Sequence, residues 1–178
     1  MRGGRLQIVT RKAPAPTHTP EFSRVFEKYN GLVFRTAYRI TGNAADAEDV
    51  LQTIFLRLLK RGASVPSLAH EESYLRRAAV NASLDLVRSR RAAPTVPLAE
   101  VQSPGVASSG DLRACLRGAL SSLNPRSAEI FALRYFEEFT NPQIARTLKM
   151  SQVLVAVTLH RARRQLQKEI RSCLGDIL

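Results

Sequence analysis

Residues 46–60, DAEDVLQTIFLRLLK, carry two different faces at helical spacing. Val50, Leu51, Ile54, Phe55 and Leu58 form an apolar stripe that has to face a core, while Asp49, Gln52, Thr53, Arg57 and Lys60 form a polar side. The first turn is acidic, as the positive end of a helix dipole favours. The same period returns through most of the chain, with no strand alternation and no solenoid-type repeat. An all-α fold is therefore predicted.

Thr19-Pro20-Glu21 reads as a helix start with Pro at the first helical position. Phe22, Val25, Phe26, Tyr29, Leu32, Val33 and Ala37 follow at helical spacing, and Asn30-Gly31 predicts a kink or break. In Thr41-Gly42-Asn43, Gly stops this helix and Asn caps the next. Residues 61–67, with Pro66, read as a loop, and a third helix is predicted over 71–91. From 92 to 110 the composition turns to Ala, Pro, Ser, Gly and Val and the periodicity disappears, as in a flexible linker. Helices are then predicted over 111–123, 125–139, 141–148 and 151–174. The expected organisation is two small helical domains: a flexible basic tail (1–19), a three-helix unit (20–91), the linker (92–110) and a second helical unit (111–178).

The net charge of +12, carried mostly by arginine, points to a polyanionic partner, because the guanidinium fork suits phosphates and base edges. The two cysteines, Cys115 and Cys173, lack metal-ligand spacing and sit in amphipathic segments, so buried free thiols in a reducing, cytoplasmic setting are expected. The tail has no continuous apolar segment, so it is not read as a secretory signal, and no run predicts membrane insertion. His18, His70 and His160 are scattered, and no glycine-rich phosphate loop follows a strand. Asp46, Glu48 and Asp49 could in isolation suggest Mg²⁺, but acids opening a helix are commoner as caps. No enzyme, cofactor or metal is expected.

In EESYLRRAAVNASLDLVRSRRA, Leu75, Ala78, Ala79, Ala82 and Leu86 make one buried stripe. Arg77, Asn81, Leu84, Arg88 and Arg91 make a second, with Tyr74 one turn before it. Arginines neutralise phosphates, Asn can pair bidentately with a base edge and Tyr can stack on an unpaired base. That combination suits strand separation; the spacing alone also fits a helix whose charged face is simply wet. In the C-terminal unit, Thr140-Asn141-Pro142-Gln143 predicts a capping box. Ile144, Ala145 and Leu148 give a short helix, Lys149-Met150 a tight turn, and Ser151 a cap for a longer helix that buries Val155, Leu159, Ala162, Leu166 and Ile170. This is helix-turn-helix spacing, which an ordinary αα-corner can also produce.

The wording of these segments resembles a known family. The acidic-Ala-Glu-Asp opening at 46–49, followed by an aliphatic pair, Gln and Phe, is similar to region two of bacterial sigma factors, in particular the extracytoplasmic-function (ECF) group of the sigma-70 family. Tyr-Leu-Arg-Arg-Ala-Ala-Val-Asn-Ala with the arginine run after it resembles the segment that melts and reads the −10 element. LNPRSAEIFALRYFEEFTNPQIARTLKMS with LHRARRQL resembles region four, which reads the −35 element as duplex. The resemblance covers about 22–91 and 111–170. It implies docking on the RNA polymerase clamp through Asp46, Glu48, Asp49, Gln52 and Thr53. It implies −10 contacts through Tyr74, Arg77, Asn81, Arg88, Arg90 and Arg91, with the 61–72 loop receiving a flipped base. It implies −35 contacts through Gln152, Ala156, Val157, Thr158, His160, Arg161, Arg163 and Arg164. Promoter DNA, an anti-sigma protein and the bacterial cytoplasm complete the implied setting, with the linker running through the core enzyme toward the RNA exit.

Several positions depart from the family pattern. Tyr74 stands where Trp is usual, Thr53 where Glu is frequent, and Lys149 at a turn position usually held by Gly. Ala156, Val157 and Thr158 replace a basic residue, Ser and Arg. Such a face offers thymine methyls an apolar surface but has few groups for guanine, so either the −35 preference is weak or the patch meets another protein. Two other readings remain open at this point. A stand-alone helix-turn-helix regulator would explain 140–164 alone; a degenerate sigma paralogue would serve as a protein-interaction module.

Overall fold

The structure is a computed structural model that describes residues 20–60, 70–92 and 109–175, without the side chains of 109–111. The tail, nearly all of the linker and most of the 61–72 loop lie outside the described residues. Among the described residues there are seven helices and no strand. They are α1 (Pro20–Thr41), α2 (Ala44–Lys60), α3 (Glu71–Ala92), α4 (Ser109–Ser122), α5 (Pro125–Tyr135), α6 (Asn141–Leu148) and α7 (Gln152–Gly175).

The first unit is built where α1, α2 and α3 turn their apolar stripes together. Val25, Tyr29, Val33 and Ala37 meet Val50, Ile54, Phe55 and Leu58, and Leu75 and Ala79 close the core from the third side. Leu51 of the α2 stripe is half-buried at its edge. Phe22, Phe26 and Phe55 add edge-to-face ring contacts at one end. The break expected at Asn30-Gly31 does not occur: α1 runs through it without interruption. Packing against both neighbours along α1 outweighs the roughly 1 kcal/mol by which Gly disfavours a helix interior. The real stop is Gly42, at φ 68°, whose N–H donates to the Tyr38 carbonyl at 2.8 Å. Asn43 then caps α2, its Oδ1 accepting from the Asp46 N–H at 3.2 Å.

An ion pair ties α1 to the start of α3. The guanidinium of Arg24 donates to the buried carboxylate of Glu71 at 2.7 Å. These hydrogen bonds hold Glu71 below the usual carboxylate range, against the opposing effect of burial. A carboxylate with a depressed folded value stabilises fully above its ordinary value of 4.5 and loses that contribution as the pH falls through the lowered value. Acid titration followed by circular dichroism should therefore show stability declining below about pH 4.5, and Glu71→Gln should flatten that decline.

In the second unit α5 opens on Asn124, which accepts from the Ser127 N–H at 2.8 Å, with Pro125 in the first turn. It ends at Tyr135 rather than near 139, because the chain turns through Glu138 at φ 59° and carries the Glu137 carboxylate inward. The capping box forms as the sequence predicts: Gln143 N–H donates to Thr140 Oγ1 and the Thr140 N–H to Gln143 Oε1. Lys149 takes the left-handed turn position, φ 52° and ψ 53°, at a cost of about 1–2 kcal/mol for a non-glycine residue. Ser151 Oγ accepts from the Leu154 N–H at 3.2 Å and opens α7.

The free thiols expected from the sequence are not found. Cys115 on α4 and Cys173 near the end of α7 form a disulfide, with Cα atoms 6.0 Å apart. The 58-residue separation hid the pairing, since α4 and α7 become neighbours only through tertiary packing. Closing a loop of that length restricts the unfolded chain by about 4 kcal/mol at most in the chain-entropy account. Reduction should lower the melting temperature of the second unit while leaving its helical signal at 25 °C largely intact.

The two units share a core. Ile40 of α1 and Val80 and Leu84 of α3 are buried with Leu120, Leu123, Ile130, Leu133 and Ile144 of the second unit. Helix α3 thus buries two faces, one in each unit.

Candidate nucleic-acid interface

On α2, Glu48, Asp49 and Gln52 are exposed and Thr53 is half-buried. Asp49, Thr53 and Arg57 line a shallow groove with Ala82, Asp85 and Ser89 of α3. Asp46 departs from this group. It is buried, and its carboxylate is paired with the guanidinium of Arg90. Two residues assigned by resemblance to different surfaces therefore hold each other, fixing α2 against the end of α3.

The second stripe of α3 is not a wet face. Arg77 Nε donates to Glu129 Oε1 at 2.7 Å, and Asn81 Nδ2 donates to the same oxygen at 3.0 Å. Arg126 holds the other oxygen of Glu129 at 3.0 Å and also donates to the Leu148 carbonyl. Burial pushes the Glu129 carboxyl up, but the hydrogen bonds from Arg77, Asn81 and Arg126 outweigh it and the net direction is down. Leu84, at 2% exposure, is sealed between the units. Arg91 donates to the Gly118 carbonyl at 2.7 Å and to Ser121 Oγ at 2.9 Å. Arg88 pairs with Asp85 through Nη1, while its Nε and Nη2 are buried without a hydrogen-bond partner.

A second buried carboxylate lies at the same seam. Glu137 accepts from Thr36 Oγ1 at 2.8 Å and is paired with Arg76, with Arg39 at 3.6 Å. Sequence reasoning missed Glu129 and Glu137. The available signal was slight: Glu129 is a lone acid inside the apolar run Ala128-Glu129-Ile130-Phe131-Ala132-Leu133, on the side where a core residue belongs.

Tyr74 is half-buried against the first core and lines a cleft of about 780 Å³. His70, Ser73 and Arg77 share its wall, and Gln143, Arg146, Thr147 and Lys149 of the helix-turn-helix stand opposite. On α7, Gln152, Ala156, Val157, His160, Arg161, Arg163 and Arg164 are exposed and Thr158 is half-buried. Val153 and Leu154 beside them are 73% and 51% exposed, so the outward face is apolar toward its start and basic toward its middle.

Among the described residues no group of three or more His, Cys, Asp or Glu side chains is placed to hold a metal ion. No helix among them is long and apolar enough to cross a membrane. Cations, amides and a ring lie along α3, and the exposed α7 is mounted on a capped short helix and a left-handed turn.

Residues 25–93 match the family model for sigma-70 region 2, and residues 113–166 match that for sigma-70 region 4. The chain belongs to the sigma-70 family of RNA polymerase sigma factors, within its ECF group. It is 30% identical over 152 residues to the RNA polymerase sigma-E factor of Streptomyces coelicolor, covering 84% of this chain and 86% of that protein. It is 31% identical over 157 residues to the ECF RNA polymerase sigma factor SigE of Mycolicibacterium smegmatis, covering 83% of this chain and 61% of that one. Against SigW of Bacillus subtilis the identity is 24% over 166 residues, with 84% and 89% covered.

Proposed function

We propose that this chain binds core RNA polymerase, directs it to promoters and helps open the −10 element, working in the bacterial cytoplasm and performing no covalent chemistry. The observation that carries this reading is the coexistence, in one chain matching both sigma regions, of the exposed Asp49–Gln52 face of α2, the Tyr74–Arg77–Asn81 stripe of α3 and the exposed helix α7. A stand-alone duplex regulator leaves the first two without a role. Glu48, Asp49, Gln52 and Thr53 supply the docking contacts to the clamp. Tyr74, Arg77, Asn81, Arg88 and Arg91 hold the displaced strand, and the energy for melting comes from binding that strand. Asp46 and Arg90 act as a positioning pair. The domain bounds 20–91 and 111–178, with 92–110 as linker, follow the same reading. An anti-sigma protein is the second protein partner it implies.

The −35 reading rests on α7. Gln152 and Thr158 can hydrogen-bond to base edges, while Ala156 and Val157 suit thymine methyls; His160, Arg161, Arg163 and Arg164 take phosphates, which position without specifying sequence. DNA selection with the chain–core complex should return paired elements with a shallow, A·T-leaning −35 half. Replacing Ala156 and Thr158 with arginine should shift that half toward guanine. Sharp enrichment of duplex sites by the chain without core would overturn this reading in favour of a stand-alone regulator.

A further inference from the structure

The cleft of about 780 Å³ between α3 and the helix-turn-helix differs in charge from the seam beside it. The seam sets carboxylates against arginines, whereas the cleft wall holds Arg77, Arg146, Lys149 and His70 and no acidic side chain. The side chains of His70, Arg146 and Lys149 make no hydrogen bond or ion pair among the described residues. Arg77 is pinned at Nε by Glu129, which leaves its two terminal nitrogens for another acceptor. A concave site lined by one sign of charge concentrates the opposite charge, so the cleft calls for an anion. Two rings, Tyr74 and Phe139, are half-buried in the same wall. The volume falls within the range of small-molecule sites, about 300–1,000 Å³. Lys149 adds an independent pointer. It occupies the left-handed region at φ 52°, where glycine sits without strain, so the fold gives no reason for a lysine there and the cleft does.

We propose that this cleft binds a nucleoside di- or triphosphate, the base stacking on Tyr74 and the phosphates held by Arg146, Lys149 and Arg77. A single nucleotide fits the closed arrangement better than a continuing strand does. The stripe along α3 runs on from Arg77 to Asn81, Leu84 and Arg91, and all three are engaged by the second unit here. Because the wall comes from both units, bound nucleotide stabilises the arrangement in which the cleft exists. A resulting sensitivity of promoter opening to nucleotide rests on the reading of α3 as the −10 surface; the site itself does not.

The full chain is titrated by calorimetry with ADP and GDP, and in parallel with adenosine, inorganic pyrophosphate and a single-stranded DNA of about 12 nucleotides. One diphosphate should bind per chain, about tenfold or more tightly than adenosine or pyrophosphate. Arg146→Gln combined with Lys149→Gly should weaken it by about tenfold or more, since two charge-assisted contacts are lost. Both side chains are exposed and glycine suits the turn, so this variant should keep its fold, which circular dichroism checks. Lys168→Gln combined with Arg171→Gln removes the same charge outside the cleft and should change affinity less than about twofold. Tyr74→Leu should weaken the nucleotide while leaving pyrophosphate unaffected. No heat at millimolar nucleotide, pyrophosphate bound as tightly as the nucleotide, or full affinity in the folded Arg146→Gln/Lys149→Gly variant each overturns the proposal. Binding of the DNA but not of the nucleotide, lost in that same variant, assigns the cleft to a strand and overturns it as well.

Discussion

Tyr74→Ala and Asn81→Ala should each slow the opening of a duplex promoter by tenfold or more, and a template already unpaired across the −10 segment should restore much of the loss. Stacking on a ring and a bidentate amide contact are each worth roughly 1–3 kcal/mol. The rescue distinguishes melting from folding, since a damaged fold would fail equally on both templates. Asn81 needs a further control because it also donates to Glu129 at 3.0 Å. Its removal loosens the closed arrangement as well, so binding to single-stranded DNA has to be measured beside opening. If both variants open duplex promoters at the parental rate, α3 is not the melting surface.

Asp49→Arg combined with Gln52→Ala should lower affinity for core polymerase by about tenfold or more, the size expected where a charge at an interface is reversed and a neighbour truncated. Both side chains are exposed on α2, so the change in stability should stay within about 0.5 kcal/mol. Co-elution with core measures the first quantity and thermal unfolding the second. Asp46 is excluded from this pair because it is buried against Arg90. Asp46→Ala would leave a guanidinium unpaired and confuse docking with folding. Unchanged core affinity in the folded double variant would remove α2 from the docking surface.

What could be read in the sequence was what neighbouring residues decide together. The α2 stripe spans little more than two helical turns, and the Asn43 cap, the Thr140–Gln143 capping box and the tight turn at Lys149 each depend on residues within about one; all four are present in the fold. What could not be read depends on residues far apart in the chain. Thr36 meets Glu137 across 101 positions, Arg77 meets Glu129 across 52, and Cys115 meets Cys173 across 58. Periodicity places a residue on a face but does not say which other helix will cover it. The stripe of Arg77, Asn81 and Leu84 therefore looked like one surface, and its coverage by α4 and α5 was invisible. Asn30-Gly31 failed in the opposite direction, its local preference for a break being overridden by packing against α2 and α3. The candidate surfaces were legible to the extent that they are exposed, as with Asp49, Gln52 and the outward face of α7. They were misleading where a charged side chain turns inward, as with Asp46.

Run-off transcription with core polymerase and a genomic promoter library tests the central claim most directly. Core supplemented with this chain should produce discrete transcripts from a small set of promoters that core alone does not use, and the Tyr74→Ala variant should lose them selectively on duplex templates. Transcripts indistinguishable from those of core alone, with a folded chain present in excess, would contradict the account.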